Sequence, residues 1–332
     1  MGETLAVLGA GSFGTALATQ LARCEHETLI WGRDQAVLDD IRNHHRNSKY
    51  LPKAALPESL RAEPDLEKAV TRARDLVVAV PSHALRETLA RVKPYMPAGQ
   101  RIICAAKGLE PETGKLAHEV CAETLGDSVG FSMLSGPTFA KEIVAGNPTA
   151  VSIASRDIGF AEDVAAYFHS GVFRAYTNDD VIGVEVGGSV KNVLAIAVGC
   201  ADGLGFGANT RTLIITRGLA EMMRLGEALG AERDTFMGLA GMGDLVLTCT
   251  DDQSRNRRMG LALAAGKSTD EAMAEIQQVV EGYRVAPEVK RLAQKHGVDM
   301  PITGQVYMVM YANQTPLAAV QVLCGRPSRP EN

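Results

Sequence analysis

Apolar positions in the first half of the chain fall into short runs, separated by stretches with a helical rhythm. Thr4-Leu5-Ala6 is the first such run and reads as a strand. The alanine- and leucine-rich stretch from Thr15 to Arg23 reads as a helix, Thr28-Leu29-Ile30-Trp31 as a second strand, and Gln35 as the start of another helix. Asp75 to Val80 and Arg101 to Ala106 are continuously apolar, the pattern of strands buried on both faces of a parallel sheet. Pro81-Ser82-His83 ends the first of these and starts a helix. Val129 to Leu134, Thr149 to Ala154 and Val172 to Tyr176 are later strand candidates. Strands alternating with helices predict a doubly wound parallel sheet to about residue 180.

Beyond Asp180 the pattern changes. Val181 to Val198, Thr210 to Leu229, Asp270 to Gln278 and Val285 to Lys295 have helical periodicity, broken by Gly and Ser at 203–207, 238–243 and 266–268. The expected organisation is an α/β domain over 1–182 and an all-helical domain over 183–332. The tail from Gly325 to Pro330 should fray.

The first strand and helix are joined by Gly9-x-Gly11-x-x-Gly14. That placement gives the glycines a chemical meaning. Gly9 permits a sharp turn, Gly11 leaves no side chain in the path of a pyrophosphate, and Gly14 lets helix and strand pack closely. The N–H groups at the helix start then face an anion. The second strand ends in Gly32-Arg33-Asp34. Arg33 suits a 2′-phosphate or stacking on adenine, and Asp34 suits the ribose hydroxyls or a helix N-cap; a solvated Arg-Asp pair is the plain alternative. NADP(H) is therefore accepted and NAD(H) not excluded.

Composition narrows the class. The chain has 332 residues, 22% charged and 46% hydrophobic, with net charge −5. That balance argues against a nucleic-acid partner held by a broad basic surface. Six scattered cysteines without a CxxC pair read as reduced, mostly buried thiols. The N-terminus enters a strand directly, leaving no room for a targeting segment, and the apolar runs, such as Val193 to Val198, are far too short for an integral membrane segment. A cytoplasmic location follows as the default. His44 and His45 read as loop residues, so no metal site is expected.

Candidate chemistry lies at strand ends and in the helical half. Lys107-Gly108 follows one strand; the lysine is either a ligand contact or a surface residue. Ser135-Gly136-Pro137-Thr138 follows another and offers N–H groups and a hydroxyl to an anion, or simply caps a helix, with Pro137 as its first residue. Lys191 and Asn192 interrupt an apolar, small-residue helix. Lys191 is either a buried acid/base, with burial and cationic neighbours bringing it into range, or a snorkelling lysine. Asp244 sits in a Gly-rich turn, where it could orient that amine or accept a substrate hydroxyl. Ser254-Arg255-Asn256 has the donors of a phosphate clamp; Arg257 and Arg258 are equally the exposed start of a basic helix.

Seven segments together, GAGSFGTALA (9–18), AAKGLE (105–110), LSGPTFAKE (134–142), EVGGSVKNVLAIA (185–197), GLAGMGDLVLT (238–248), SRNRRMG (254–260) and VVEGYRVA (279–286), closely resemble the NAD(P)-dependent glycerol-3-phosphate dehydrogenases of the soluble bacterial type. The resemblance spans nearly the whole chain. It implies a Rossmann-type N-terminal domain and an all-α C-terminal domain, in the 6-phosphogluconate-dehydrogenase-like arrangement, with substrate held between domains. It implies reversible reduction of dihydroxyacetone phosphate to sn-glycerol 3-phosphate, supplying phospholipid synthesis. Lys191 would be the proton donor/acceptor, with Lys107 or Asp244 tuning it. Substrate contacts would be Lys107, Gly136, Thr138, Lys191, Asp244, Ser254, Arg255 and Asn256. Besides Gly9, Gly11 and Gly14, cofactor contacts would be Ser12, Phe13, Arg33, Lys107, Ala140, Arg255, Val279 and Glu281. Thr138 stands where many members have serine, and keeps the hydroxyl. A homodimer is left open. The rivals are an enzyme of the same fold acting on a hydroxyacid or sugar acid, and a non-catalytic nucleotide sensor.

Overall fold

The structure, a computed structural model, describes residues 2–327. The expected fraying beyond Pro327 lies outside the described residues. The chain divides into two compact units: Met1–Glu110 with Lys115–Glu185, and Pro111–Gly114 with Val186–Asn332. The short excursion at Pro111–Gly114 has no counterpart in the sequence pattern.

The first unit is a single sheet of β1 (Thr4–Leu8), β2 (Glu27–Trp31), β3 (Leu60–Ala62), β4 (Asp75–Val78), β5 (Arg101–Cys104), β6 (Phe131–Ser135), β7 (Thr149–Ala154) and β8 (Phe173–Asn178). Between them run α1 (Ser12–Arg23), α2 (Gln35–His44), α3 (Leu66–Arg72), α4 (Leu85–Val92), α5 (Ala117–Leu125), α6 (Ala140–Ala145) and α7 (Ile158–Phe168). The strand order is β3-β2-β1-β4-β5-β6-β7-β8. Leu5 to Leu8, Leu76 to Val78 and Ile102 to Cys104 are wholly buried, which is why these strands lack a polar face. The order reverses between β1 and β4, so the doubly wound crevice opens beyond the glycine turn.

One pair departs from the expected parallel sheet: β6 and β7 run antiparallel, Met133 opposite Ala154. Gly136 turns the chain at φ 139 directly after β6, and an antiparallel neighbour needs no crossover. Strand β3 was not anticipated, being too short to show a period. Asp75, fully buried, receives two bonds from Arg101 (2.9 and 2.7 Å) and one from the Tyr167 hydroxyl (2.8 Å), fastening β4 to β5 and α7.

The second unit is helical: α8 (Val181–Gly203, its first turn in the other unit), α9 (Ala208–Ala228), α10 (Asp244–Thr250), α11 (Arg255–Ala264), α12 (Thr269–Ile276), α13 (Glu281–Lys295), α14 (Pro301–Tyr311) and α15 (Pro316–Cys324). The glycine-rich break at 238–243 is in fact a π-helical turn, Leu239–Gly243, leading into α10. Pro301 and Pro316 open α14 and α15 as first-turn prolines, a signal the periodicity alone passes over. Among the described residues, α8 is long and apolar enough to cross a membrane, which corrects the reading that no stretch is; 89% of its apolar window is buried within the protein, as in a core helix. All six cysteines are free; Cys104, Cys121, Cys200 and Cys249 are buried, and burial pushes their thiols up.

Glu221 on α9 is a buried carboxyl that holds the start of α14. It accepts from the Ile302 and Thr303 N–H groups (2.6 and 3.1 Å) and the Thr303 hydroxyl (3.0 Å). Burial outweighs these donors and pushes the carboxyl up to about 7. Its folded-state value thus lies above its ordinary one, so its contribution to stability is complete below that ordinary value and is lost as pH rises towards about 7. The stability of the wild type relative to Glu221→Gln should fall by about 3 kcal/mol across that interval. Urea unfolding of both proteins at several pH values measures it; a constant difference would show that Glu221 titrates as an ordinary carboxyl.

Candidate active site

In the first unit the glycine turn is held by contacts that only glycine allows. Gly9 has φ 121, and a Cβ on Gly14 would lie 1.8 Å from the Gly9 carbonyl oxygen. A Cβ on Gly11, by contrast, would meet nothing within 4 Å, so the space over the turn is open. No side chain caps α1. Its first N–H groups, from Ser12 and Phe13 onward, therefore suit a pyrophosphate. This donor set fits a dinucleotide. Asn47, fully buried, donates to the Ala10 carbonyl (3.0 Å) and the Thr15 hydroxyl (2.8 Å), bracing the turn from behind. Nothing in the polar loop around Asn47 announced that role.

At the end of β2, Asp34 takes the capping option: its carboxylate accepts from the N–H groups of Ala36 and Val37 and pairs with Lys49 Nζ at 2.7 Å. Arg33 is exposed, with Glu87 at 3.9 Å. The cation is thus outward while the neighbouring acid is engaged.

Lys107, at the end of β5, reaches across to the β6 turn. Its Nζ donates to the Gly136 carbonyl (2.9 Å) and the Thr138 hydroxyl (3.1 Å), and stands 5.3 Å from the centre of the Phe13 ring. Thr138 itself donates to the Gly136 carbonyl at 2.9 Å. Lys107, Phe13, Gly136 and Thr138 therefore form one cluster. Ala140 opens α6; Pro137 stays in the preceding turn and is not the first helical residue as expected.

In the second unit, Lys191 is 6% exposed and so does not snorkel. Its Nζ lies 2.6 Å from Asp244 Oδ1 and donates to the Thr248 hydroxyl at 2.9 Å. Thr248 donates in turn to the Asp244 carbonyl at 2.6 Å. Asp244 and Thr248 share a face of α10 because they are one turn apart. Sequence analysis did not single out Thr248: the glycine-rich break at 238–243 gives no periodic signal for the helix that follows it. The π turn can approach α8 because Gly187 has no Cβ; one there would sit 2.5 Å from the Ala240 carbonyl oxygen. That contact accounts for the glycine at 187 in the lysine helix.

Asn192, Asn256 and Gly282 form a second strand of contacts beside the lysine. Asn256 Nδ2 donates to Asn192 Oδ1 (2.7 Å), and the Gly282 N–H donates to Asn256 Oδ1 (2.9 Å). Ser254 caps α11, accepting from the Arg257 N–H at 3.2 Å. Arg255 follows it, its guanidinium drawn below its ordinary value by burial, with Glu281 opposing and Arg258 adding to the effect. A desolvated cation of this kind is suited to an anionic ligand. Arg257 is engaged with Asp202 at 2.7 Å, and so is not part of a free basic helix start. Val279 is half-buried just before α13. Among the described residues, no group of three metal-ligating side chains converges.

The sequence model described as the NAD-dependent glycerol-3-phosphate dehydrogenase N-terminus matches residues 4–161, and the one described as its C-terminus matches 180–321. A glycerol-3-phosphate dehydrogenase [NAD(P)+] of Yersinia pestis is 52% identical over 99% of this chain and 97% of its own length. The crystal structure of glycerol-3-phosphate dehydrogenase from Coxiella burnetii superposes with TM-score 0.94 at 46% identity, covering 98% of this chain and 99% of that one. The yeast enzyme from Saccharomyces cerevisiae gives TM-score 0.83 at 26% identity, over 97% and 99%. With both halves matched and relatives this close, the chain is an oxidoreductase belonging to the NAD-dependent glycerol-3-phosphate dehydrogenase family.

Proposed function

We propose that this protein reduces dihydroxyacetone phosphate reversibly to sn-glycerol 3-phosphate with NADPH or NADH, feeding glycerophospholipid synthesis. The observation that carries the reading is the buried Lys191–Asp244–Thr248 arrangement in a chain of this family. Bound NAD(P)H supplies the hydride that adds to the ketone carbon. Lys191 as an ammonium hydrogen-bonds the ketone oxygen, stabilises the charge that develops there, and delivers the proton. Asp244 and Thr248 fix Nζ beforehand, so little reorganisation accompanies the reaction. Ser254, Arg255 and Asn256 take the phosphate, and that remote binding energy positions the ketone. Lys107, with Gly136 and Thr138, contributes a second cation to the substrate.

Gly9, Gly11, Gly14 and the Ser12 and Phe13 N–H groups receive the coenzyme pyrophosphate, with Arg33 at the adenosine end. Ala140, Val279 and Glu281 complete the coenzyme contacts in this reading. Cytoplasmic location and assembly as a homodimer belong to it as well; light scattering coupled to gel filtration tests the second.

Lys191→Ala should lower kcat about 100-fold or more, the scale for losing positioned acid–base help, with coenzyme binding retained. Turnover near the wild-type rate would make Lys191 structural. NADPH oxidation should be rapid with dihydroxyacetone phosphate and far slower with dihydroxyacetone. Equal rates would sink the phosphate clamp, and turnover of neither would return the hydroxyacid and sensor readings. Arg33→Ala should weaken NADPH binding more than NADH binding; equal losses would indicate stacking on adenine instead of a 2′-phosphate contact.

A further inference from the structure

Helix α13 carries a proline in its interior, Pro287. Proline has no N–H, so the carbonyl one turn earlier, that of Tyr283, is deprived of its helical bond. The Tyr311 hydroxyl on α14 donates to that carbonyl at 2.7 Å. The contact is built rather than glancing. The Tyr311 ring is stacked on Tyr283 at 4.8 Å and on Tyr307 at 5.1 Å, and Lys290 Nζ stands 3.7 Å from the centre of the Tyr307 ring.

The turn held in this way is Glu281-Gly282-Tyr283, the start of α13. Its seat on α8 is backbone to backbone: a Cβ on Gly282 would lie 2.5 Å from the Asn192 carbonyl oxygen. The Gly282 N–H donates to Asn256 Oδ1, which turns the Asn256 amide so that its nitrogen donates to Asn192 Oδ1. Asn192 completes the chain by donating to the Gly188 carbonyl at 3.1 Å. Glu281 lies in the same turn and acts electrostatically on Arg255. A loosened first turn would therefore release the Asn256 amide and move Glu281 relative to Arg255. The Lys191–Asp244–Thr248 contacts come from α8 and α10 and do not pass through it.

We propose that Tyr311 is a positioning residue: by supplying the hydrogen bond that Pro287 removes, it holds Glu281 and Gly282 so that Asn256 and Arg255 bind coenzyme and the phosphorylated substrate. The proposal rests on the reading of Asn256, Arg255 and Glu281 given above. It separates binding from chemistry, because the hydroxyl supports the ligand contacts and leaves the lysine pair untouched.

Tyr311→Phe keeps the ring stack and removes only the hydroxyl. The dissociation constant for NADPH, read by fluorescence titration, and KM for dihydroxyacetone phosphate should each rise about fivefold, the scale of one net hydrogen bond, while kcat changes by less than about twofold. Pro287→Ala returns an N–H to the helix. In that background Tyr311→Phe should leave both constants unchanged. The proposal is overturned if Tyr311→Phe lowers Tm while both constants stay at their wild-type values, or if the rise is as large in the Pro287→Ala protein. Should the wild type bind NADPH but not turn over dihydroxyacetone phosphate, the functional reading fails, and the NADPH titrations of the four proteins still decide the role of Tyr311.

Discussion

A buried ammonium is the constraint around which the helical unit is built. Lys191 lies in a buried, mostly apolar and small-residue stretch of α8, and an isolated charge there would be strongly unfavourable. The fold answers with a carboxylate at 2.6 Å and a hydroxyl at 2.9 Å, both from α10. For α10 to supply them, its leading π turn must come against α8, and Gly187 is what lets it. Gly187 is therefore a packing requirement of the ion pair. Its cost in helix propensity, about 1 kcal/mol, is offset by burial and pairing.

The same logic of close approach governs the ligand surfaces. In the sheet unit, Gly9 and Gly14 bring strand, turn and helix within van der Waals reach, while Gly11 leaves open space above the α1 N-terminus. In the helical unit, Gly282 brings α13 against α8 and places its N–H on Asn256. Each time, a missing side chain exposes a backbone group that does the work. Polar side chains then brace these turns from behind: Asn47 under the glycine turn, Tyr311 over the gap left by Pro287. These bracing residues keep the binding groups in place; in this reading they do not themselves touch the ligand.

Much of this was legible in the chain. Runs of apolar residues identified the inner strands β1, β4 and β5, because burial on both faces leaves them no polar alternation. The glycine spacing read out the dinucleotide turn, since each glycine there answers a local geometric need. The seven motifs pointed to the family, and the sequence and structure comparisons show it. The periodicity failed where structure is short or breaks its own period: β3, the π turn ahead of α10, and the two proline-initiated helices at the end. The antiparallel β6–β7 pair was hidden too, because strand direction is not encoded in a run of apolar residues.

Sequence by itself determined the alternation of elements, the switch to an all-helical second half, the dinucleotide turn and the candidate residues. Those are properties of spacing along one chain, and spacing is what a sequence records. Only the tertiary structure decided which alternatives hold: that Lys191 is buried and paired, that Asp34 caps α2 and meets Lys49, that Lys107 joins the Gly136–Thr138 turn, and that Arg257 is engaged with Asp202. Lys191 and Asp244, or Asn192 and Gly282, are far apart in the chain. Whether such groups meet depends on how closely the helix backbones approach, and no local pattern carries that distance.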